Sequence, residues 1–280
     1  MKWEDRGRSK NLEDRRGSGS PVGRGVPLGI GGILLIVALS AITGTDLFAL
    51  LGLNQGTQTS TPATQQELAA EEEQVRFVSF VLDDIQDTWA GMFQGGQYPE
   101  ATLVLYRDAV QSGCGVAPSA AGPFYCPTDQ KLYIDLSFYD TLQERYGAPG
   151  DFAQAYVIAH EVGHHIQNLT GTLGQMRQSQ QANPSQANAL SVALELQADC
   201  YAGVWAASAD ASGIMERGDL QEGLGAAAAV GDDRLSSQAG RSVNQETFTH
   251  GTSAQRMQWF ETGFRTGDPN ACDTFRASGF

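Results

Sequence analysis

The spacing of apolar positions changes several times along this chain, and each change marks an element. From Val26 to Thr45 there is no alternation: twenty residues run without a charge, enough to cross roughly 30 Å of hydrocarbon as a helix. Residues 46–69 follow as a linker, because the stretch from Asn54 to Gln66 is Gln, Thr, Ser, Pro, Ala and Gly with no aromatic residue. From Glu67 to about Phe93 the period becomes helical. Phe77, Phe80, Val81, Asp84, Ile85 and Trp89 fall on one stripe, and Glu67 and Glu71–Glu73 suit the positive end of a helix dipole. Thr102–Tyr106 and Lys131–Leu136 are short β-type runs on either side of a Gly/Pro/Cys loop. Asp151 to about Leu169 predicts a helix after a Gly-Ala-Pro-Gly turn, with Asp151 as its N-cap. Residues 170–183 are polar and Gln-rich, a loop or weak helix. Helices are expected over about 186–206, 219–230 and 253–266. No internal repeat is visible. The pattern predicts an α+β domain, mostly helical, with a small β-sheet.

Charge divides the chain. Residues 1–25 hold seven Lys/Arg against four acids, about +3, which leaves about −17 of the net −14 for the rest. An acidic body argues against nucleic acid as a partner, since phosphate binding needs clustered Lys/Arg. Arg15, Arg16 and Arg24 precede the apolar run and Asp46 follows it, so the positive-inside rule places the N-terminus in the cytoplasm. The expected organisation is a cytoplasmic charged leader (1–25), one transmembrane anchor (26–45), a flexible linker (46–69) and an extracytoplasmic domain (70–280), single-pass in a bacterial cell membrane. A signal peptide fits less well, because its apolar stretch is shorter and closer to the start. The sequence leaves the oligomeric state open.

The four cysteines, Cys114, Cys126, Cys200 and Cys272, all lie beyond the apolar run. An even count in an oxidising compartment suggests two disulfides, with three pairings open; four buried thiols are the competing reading. The short Cys114–Cys126 interval, rich in Gly and Pro, looks like a stapled loop, and Cys200 with Cys272 would then tie the C-terminal tail to a central helix. No CxxC pair exists, so zinc ligation by these cysteines is not expected.

The chemistry centres on His160-Glu161-Val162-Gly163-His164. Residues four apart on a helix share a face, so both imidazoles can reach one metal ion at about 2.0–2.1 Å. Glu161, rotated by about 100°, can miss the metal yet reach a water beside it, where a general base belongs. Phe152, Ala155, Tyr156, Ala159, Gly163 and Ile166 form an apolar stripe opposite. Gly163 in mid-helix, at a cost of about 1 kcal/mol, signals close approach of another backbone. A catalytic zinc wants a third protein ligand and an open position. Glu195-Leu196-Gln197-Ala198-Asp199 offers Glu195 as that ligand and Asp199, one turn on, as a carboxylate that accepts a hydrogen bond from the far nitrogen of His160 or His164. His165, turned about 100° away, reads as packing or as support behind a ligand, not as a ligand itself.

HEVGH together with ELQAD resembles the gluzincin arrangement, as in HtpX-like peptidases, in which a second helix supplies the glutamate ligand. With the leader residues 1–4 and 11–16, the apolar run and HEVGHHIQN, nearly the whole chain is similar to the bacterial family of neutral zinc metallopeptidases. The resemblance implies a zincin-like catalytic domain with one zinc ion per chain and a protein or peptide substrate. It also places His250, in Thr249-His250-Gly251-Thr252, near the open zinc position as a donor to the developing oxyanion, with Arg256 pairing Asp199. The HtpX-like segment has Pro where this chain has Gly251. The expected activity is metalloendopeptidase hydrolysis of peptide bonds with Glu161 as the base. The rivals are a zinc-binding extracytoplasmic scaffold or regulatory domain without proteolytic activity, and a metal-free binding module held by disulfides.

Overall fold

The structure is a computed structural model that describes residues 1–18, 63–93, 98–240 and 242–280. Its strands are β1 (Leu12–Asp14), β2 (Thr102–Tyr106), β3 (Ala109–Ser112), β4 (Gly115–Pro118), β5 (Phe124–Cys126) and β6 (Lys131–Asp135). Its helices are α1 (Gln65–Ala70), α2 (Glu72–Met92), α3 (Ser137–Asp140), α4 (Asp151–Leu169), α5 (Thr172–Ala182), α6 (Ala187–Ala211), α7 (Asp219–Ala229), α8 (Asp232–Gln238), α9 (Ser253–Thr266) and α10 (Thr274–Ala277). The mostly helical α+β class agrees with the sequence pattern.

Four strands form one sheet in the order β1-β2-β6-β5, parallel except for β5, which runs antiparallel to β6. Leu103, Leu105, Leu132 and Ile134 point to the main core, while Val104, Tyr106 and Tyr133 point the other way into a small core with Val110 and Cys126. Both faces are covered, which explains why TLVLY and KLYID are nearly continuous apolar runs rather than alternating ones. The β3–β4 hairpin and β5 occupy what the sequence reads as a loop; runs of three or four residues give little periodicity to detect.

The helical side is built around α4, α6 and α9. The stripe on α2 is buried as expected, with Trp205 of α6 donating its indole N–H to Asp84 at 2.8 Å. Phe152 stacks on Trp205 with ring centroids 5.4 Å apart, a contact worth about 0.5–1.5 kcal/mol beyond area burial. Gly163 meets the expected backbone: a Cβ there would lie 3.0 Å from the Cα and carbonyl oxygen of Ala198 on α6. A second close crossing, not foreseen, joins α6 to α9, where a Cβ on Gly203 or Gly263 would collide with the carbonyl of Phe260 or Cys200. The disulfides are Cys114–Cys126 and Cys200–Cys272. From loop lengths of 12 and 72 residues, chain entropy assigns them about 3 and about 4 kcal/mol.

Two expectations are corrected here. Asp151 is the first helical residue of α4 and makes no capping bond; Gly150 sits at the N-cap, and Glu222 of α7 accepts the Phe152 N–H at 3.1 Å instead. The described part of the charged leader, residues 1–18, packs on the domain. β1 pairs with β2, and Arg16 is buried between Asp14 and Glu71 at 2.7 and 2.6 Å. Arg8 pairs with Glu72, Asp5 pairs with Arg76, and Trp3 packs on Phe77. The Ala63 N–H donates to the Arg16 carbonyl at 3.3 Å, so the chain returns to the point it leaves. A single membrane crossing between residues 18 and 63 would put these partners on opposite faces, whereas they form one packed body. The apolar run 26–45 lies outside the described residues. Among the described residues no helix is long and apolar enough to cross a membrane.

Candidate metal centre

His160 and His164 project from one face of α4, one turn apart, with ring centroids 4.8 Å from each other. Glu195 reaches them from α6. Its two carboxylate oxygens lie 3.1 Å from His160 Nε2 and 3.5 Å from His164 Nε2. The three ligand atoms lie within 4.8 Å of one another. Donors arranged tetrahedrally around an ion at about 2.0–2.1 Å sit about 3.3 Å apart, so two imidazoles and one carboxylate at these separations fit zinc. Glu161 lies outside this trio, and burial lifts its carboxyl above the ordinary value.

Each imidazole turns its other nitrogen to a different partner. His160 Nδ1 lies 2.9 Å from Asp199 Oδ1, and His164 Nδ1 lies 2.8 Å from Gln167 Oε1. Both Nε2 atoms are thereby aimed at Glu195. Arg256 of α9 grips Asp199 with a fork, Nε to Oδ2 and Nη2 to Oδ1, each 2.8 Å. The hydroxyl of Tyr156 donates to Asp199 and accepts from Arg256 Nη2 at 3.2 Å. Burial alone would raise the Asp199 carboxyl, but Arg256 and His160 hold it below the ordinary carboxylate range. Burial alone would lower His160, but the Asp199 charge and hydrogen bond push it up to about 9. Glu195, partly buried, is held well below its usual value by His164 and His160.

The outer residues divide. Arg256 pairs with Asp199 as the resemblance implies. His250 does not join the trio. It is half exposed, with Nδ1 3.2 Å from Asp232, and the backbone N–H groups of 249, 250 and 251 all donate to the same Asp232 carboxylate. Gly251 has φ +87° and lies against Val192 and Leu196, an angle that Pro cannot adopt. His165 is fully buried, bonded to Tyr125 and to the Pro99 carbonyl, a packing position as expected. The sequence reading set Tyr156 in the apolar stripe opposite the ligands, whereas its hydroxyl reaches Asp199 beside His160, and it missed Gln167 and Asp232. Tyr156 and Gln167 stand four before and three after a candidate ligand on α4, a spacing that places them on the same face.

The whole-chain comparisons agree with this chemistry. Residues 1–275 match the family described as "Putative neutral zinc metallopeptidase". The chain belongs to that family. The relatives include the uncharacterized protein YpfJ of Escherichia coli K12, 47% identical over 99% of this chain and 100% of its own length. The uncharacterized protein Rv2575 of Mycobacterium tuberculosis H37Rv is 44% identical over 70% of this chain and 69% of its own. No solved structure matches. The family match covers the residues of β1 and the leader together with the domain, in keeping with their joint packing.

Proposed function

We propose that this protein is a zinc metalloendopeptidase whose ion is held by His160, His164 and Glu195. The observation that carries the reading is the convergence of two imidazoles and a carboxylate from two helices, with a further buried acid, Glu161, one residue from a ligand. A zinc ion there would supply Lewis acidity, activating a water at neutral pH and polarising a peptide carbonyl. Glu161 takes the proton of the attacking water and returns it to the leaving amine; its raised pKa suits a base working near neutrality. Asp199, locked by Arg256 and Tyr156, holds the His160 ring. His250, on the segment packed over the turn of α6 that carries Glu195, is the proposed donor to the carbonyl oxygen.

The decisive test is Glu161→Gln, assayed for zinc content and peptide hydrolysis. The expected outcome is about one zinc per chain with hydrolysis reduced on the order of 10²–10⁴-fold. Hydrolysis at the wild-type rate would refute the role of Glu161, and a metal-free wild type would refute the centre. The two disulfides support an oxidising compartment. Residues 1–18 and the domain are proposed to share one side of any membrane that the apolar run contacts. Impermeant labelling of single cysteines placed at residue 4 and residue 278, in whole cells, should then modify both or neither.

A further inference from the structure

The two imidazoles of the centre are held by unlike partners, and the neutral one is the more informative. His160 faces an anion, Asp199, which can only accept. His164 faces an amide, Gln167, and an amide can present either its oxygen or its nitrogen. Which end it presents is fixed by what lies behind it. Gln167 Nε2 is 2.7 Å from the carbonyl oxygen of Leu194 and 3.2 Å from Gln197 Oε1. A backbone carbonyl accepts only, so the end of Gln167 facing Leu194 must be the nitrogen and the end facing His164 must be the oxygen. Gln197 is fixed in the same way, because its Nε2 donates to the Cys272 carbonyl at 2.9 Å. Its oxygen is therefore the atom turned toward Gln167. Two carbonyls, one bonded to each amide of the pair, thus determine every donor and acceptor along the chain, and the last member is His164. Facing an oxygen, His164 Nδ1 must carry the proton, which leaves the Nε2 lone pair for the ion.

Burial makes this ordering costly to escape. Gln167 is fully buried and Gln197 nearly so, so neither amide can turn round without leaving polar atoms unpaired away from water. Gln167 also spans the two ligand helices. Its oxygen takes the ring of His164 on α4, while its nitrogen takes the peptide of Leu194, the residue before Glu195 on α6. One side chain therefore sets two of the three ligands against each other. The far end of the chain is held by the Cys200–Cys272 crosslink, next in sequence to Asp199.

We propose that Gln167, ordered by Gln197 and the crosslinked Cys272 carbonyl, is a positioning residue that fixes the Nδ1–H tautomer of His164 and the spacing of His164 from Glu195. This rests on the zinc reading above. The test uses the full chain loaded with zinc, its affinity measured by competition with a chromophoric chelator, and the imidazole protons followed by ¹H–¹⁵N NMR. Gln167→Leu should weaken zinc binding about 10–100-fold and abolish the protected low-field His164 Nδ1–H signal, while the His160 signal, held by Asp199, persists. Gln197→Leu should act in the same direction by about 3–10-fold, the smaller share expected of a partner one step further out. Gln167→Glu keeps an acceptor toward His164 but sets a carboxylate oxygen against the Leu194 carbonyl, so it should keep the low-field His164 Nδ1–H signal while the affinity stays below wild type. Wild-type affinity and an unchanged His164 signal in Gln167→Leu would overturn the proposal, as would loss of that signal in a folded Gln167→Glu protein. If Gln167→Leu does not fold, Gln197→Leu decides: unchanged affinity and signal overturn it. A wild-type chain that takes up no zinc sinks the zinc reading itself, an outcome distinct from any of these.

Discussion

The helix that carries His160 and His164 has three acids gathered at its first turn and the two-imidazole, one-carboxylate trio further along, and only the trio reads as a metal site. At the first turn of α4, Asp151, Asp219 and Glu222 bring carboxylate oxygens as close together as the donors of the His160–His164–Glu195 trio. Each carboxylate there already has an occupation. The Met1 ammonium lies 2.8 Å from both Asp151 oxygens and 3.4 Å from Asp219; Asp219 also accepts the Glu216 N–H, and Glu222 takes the Phe152 N–H. Further along the helix, the imidazole Nε2 atoms and the Glu195 oxygens face one another, and the capping work is done by residues behind them. Proximity of acids is thus a weak sign of a cation site. Donors whose outer atoms are already satisfied, leaving their inner atoms aimed at one point, are a stronger one.

The largest expected difference between the two clusters lies in the buried Asp199–Arg256 pair. Arg256→Leu leaves the Asp199 charge without its fork and should destabilise the fold by about 3–5 kcal/mol in denaturant unfolding. A change below 1 kcal/mol would mean that the pair is not the anchor of the centre. Next comes pH. In the metal-free protein His160 titrates at about 9, above the ordinary value of 6.5. Its protonation therefore stabilises the folded state fully below about pH 6.5, and that contribution is lost as pH rises through about 9. The shift corresponds to on the order of 3 kcal/mol, visible as a falling unfolding midpoint between pH 6.5 and 9.5. Zinc binding must displace the same proton, and the slope should become shallower without vanishing in His160→Gln, because His164 and His250 are also raised by neighbouring carboxylates.

How much of this could be read from residues alone follows from how local each signal is. The HEVGH helix and the helix bearing Glu195 declare themselves because spacing on one helix decides which side chains share a face. Gly163 declares itself because a mid-helix glycine has few other uses. Gln167 sits within the same pattern, but the direction of its amide depends on two carbonyls, at Leu194 and Cys272, that no local spacing reveals. The leader misleads for a related reason. Its Arg and Asp residues look solvated in sequence, yet Arg8, Arg16 and Asp5 meet Glu72, Glu71 and Arg76 across more than fifty residues, and β1 is three residues long. Nonlocal ion pairs of this kind leave no periodic trace.

The smallest expected effect is the sharpest probe of the contrast between the clusters. Asp219→Asn keeps the side-chain shape and can still accept the Glu216 N–H, but it removes one of the charges around the Met1 ammonium. Hydrogen bonds to charged groups contribute about 1.5–3 kcal/mol when fully made. Here Asp151 and Glu216 remain within 2.8 and 3.4 Å of the ammonium, so the loss should be about 1 kcal/mol. Zinc stoichiometry should not change, because Asp219 lies on α7 beside Asp151, which stands nine residues before His160 on α4, and it touches none of the three ligands. A variant that loses zinc while keeping its fold would show that the first-turn carboxylates bind or govern the ion. The distinction between satisfied and converging donors would then fail at the very helix on which it is drawn.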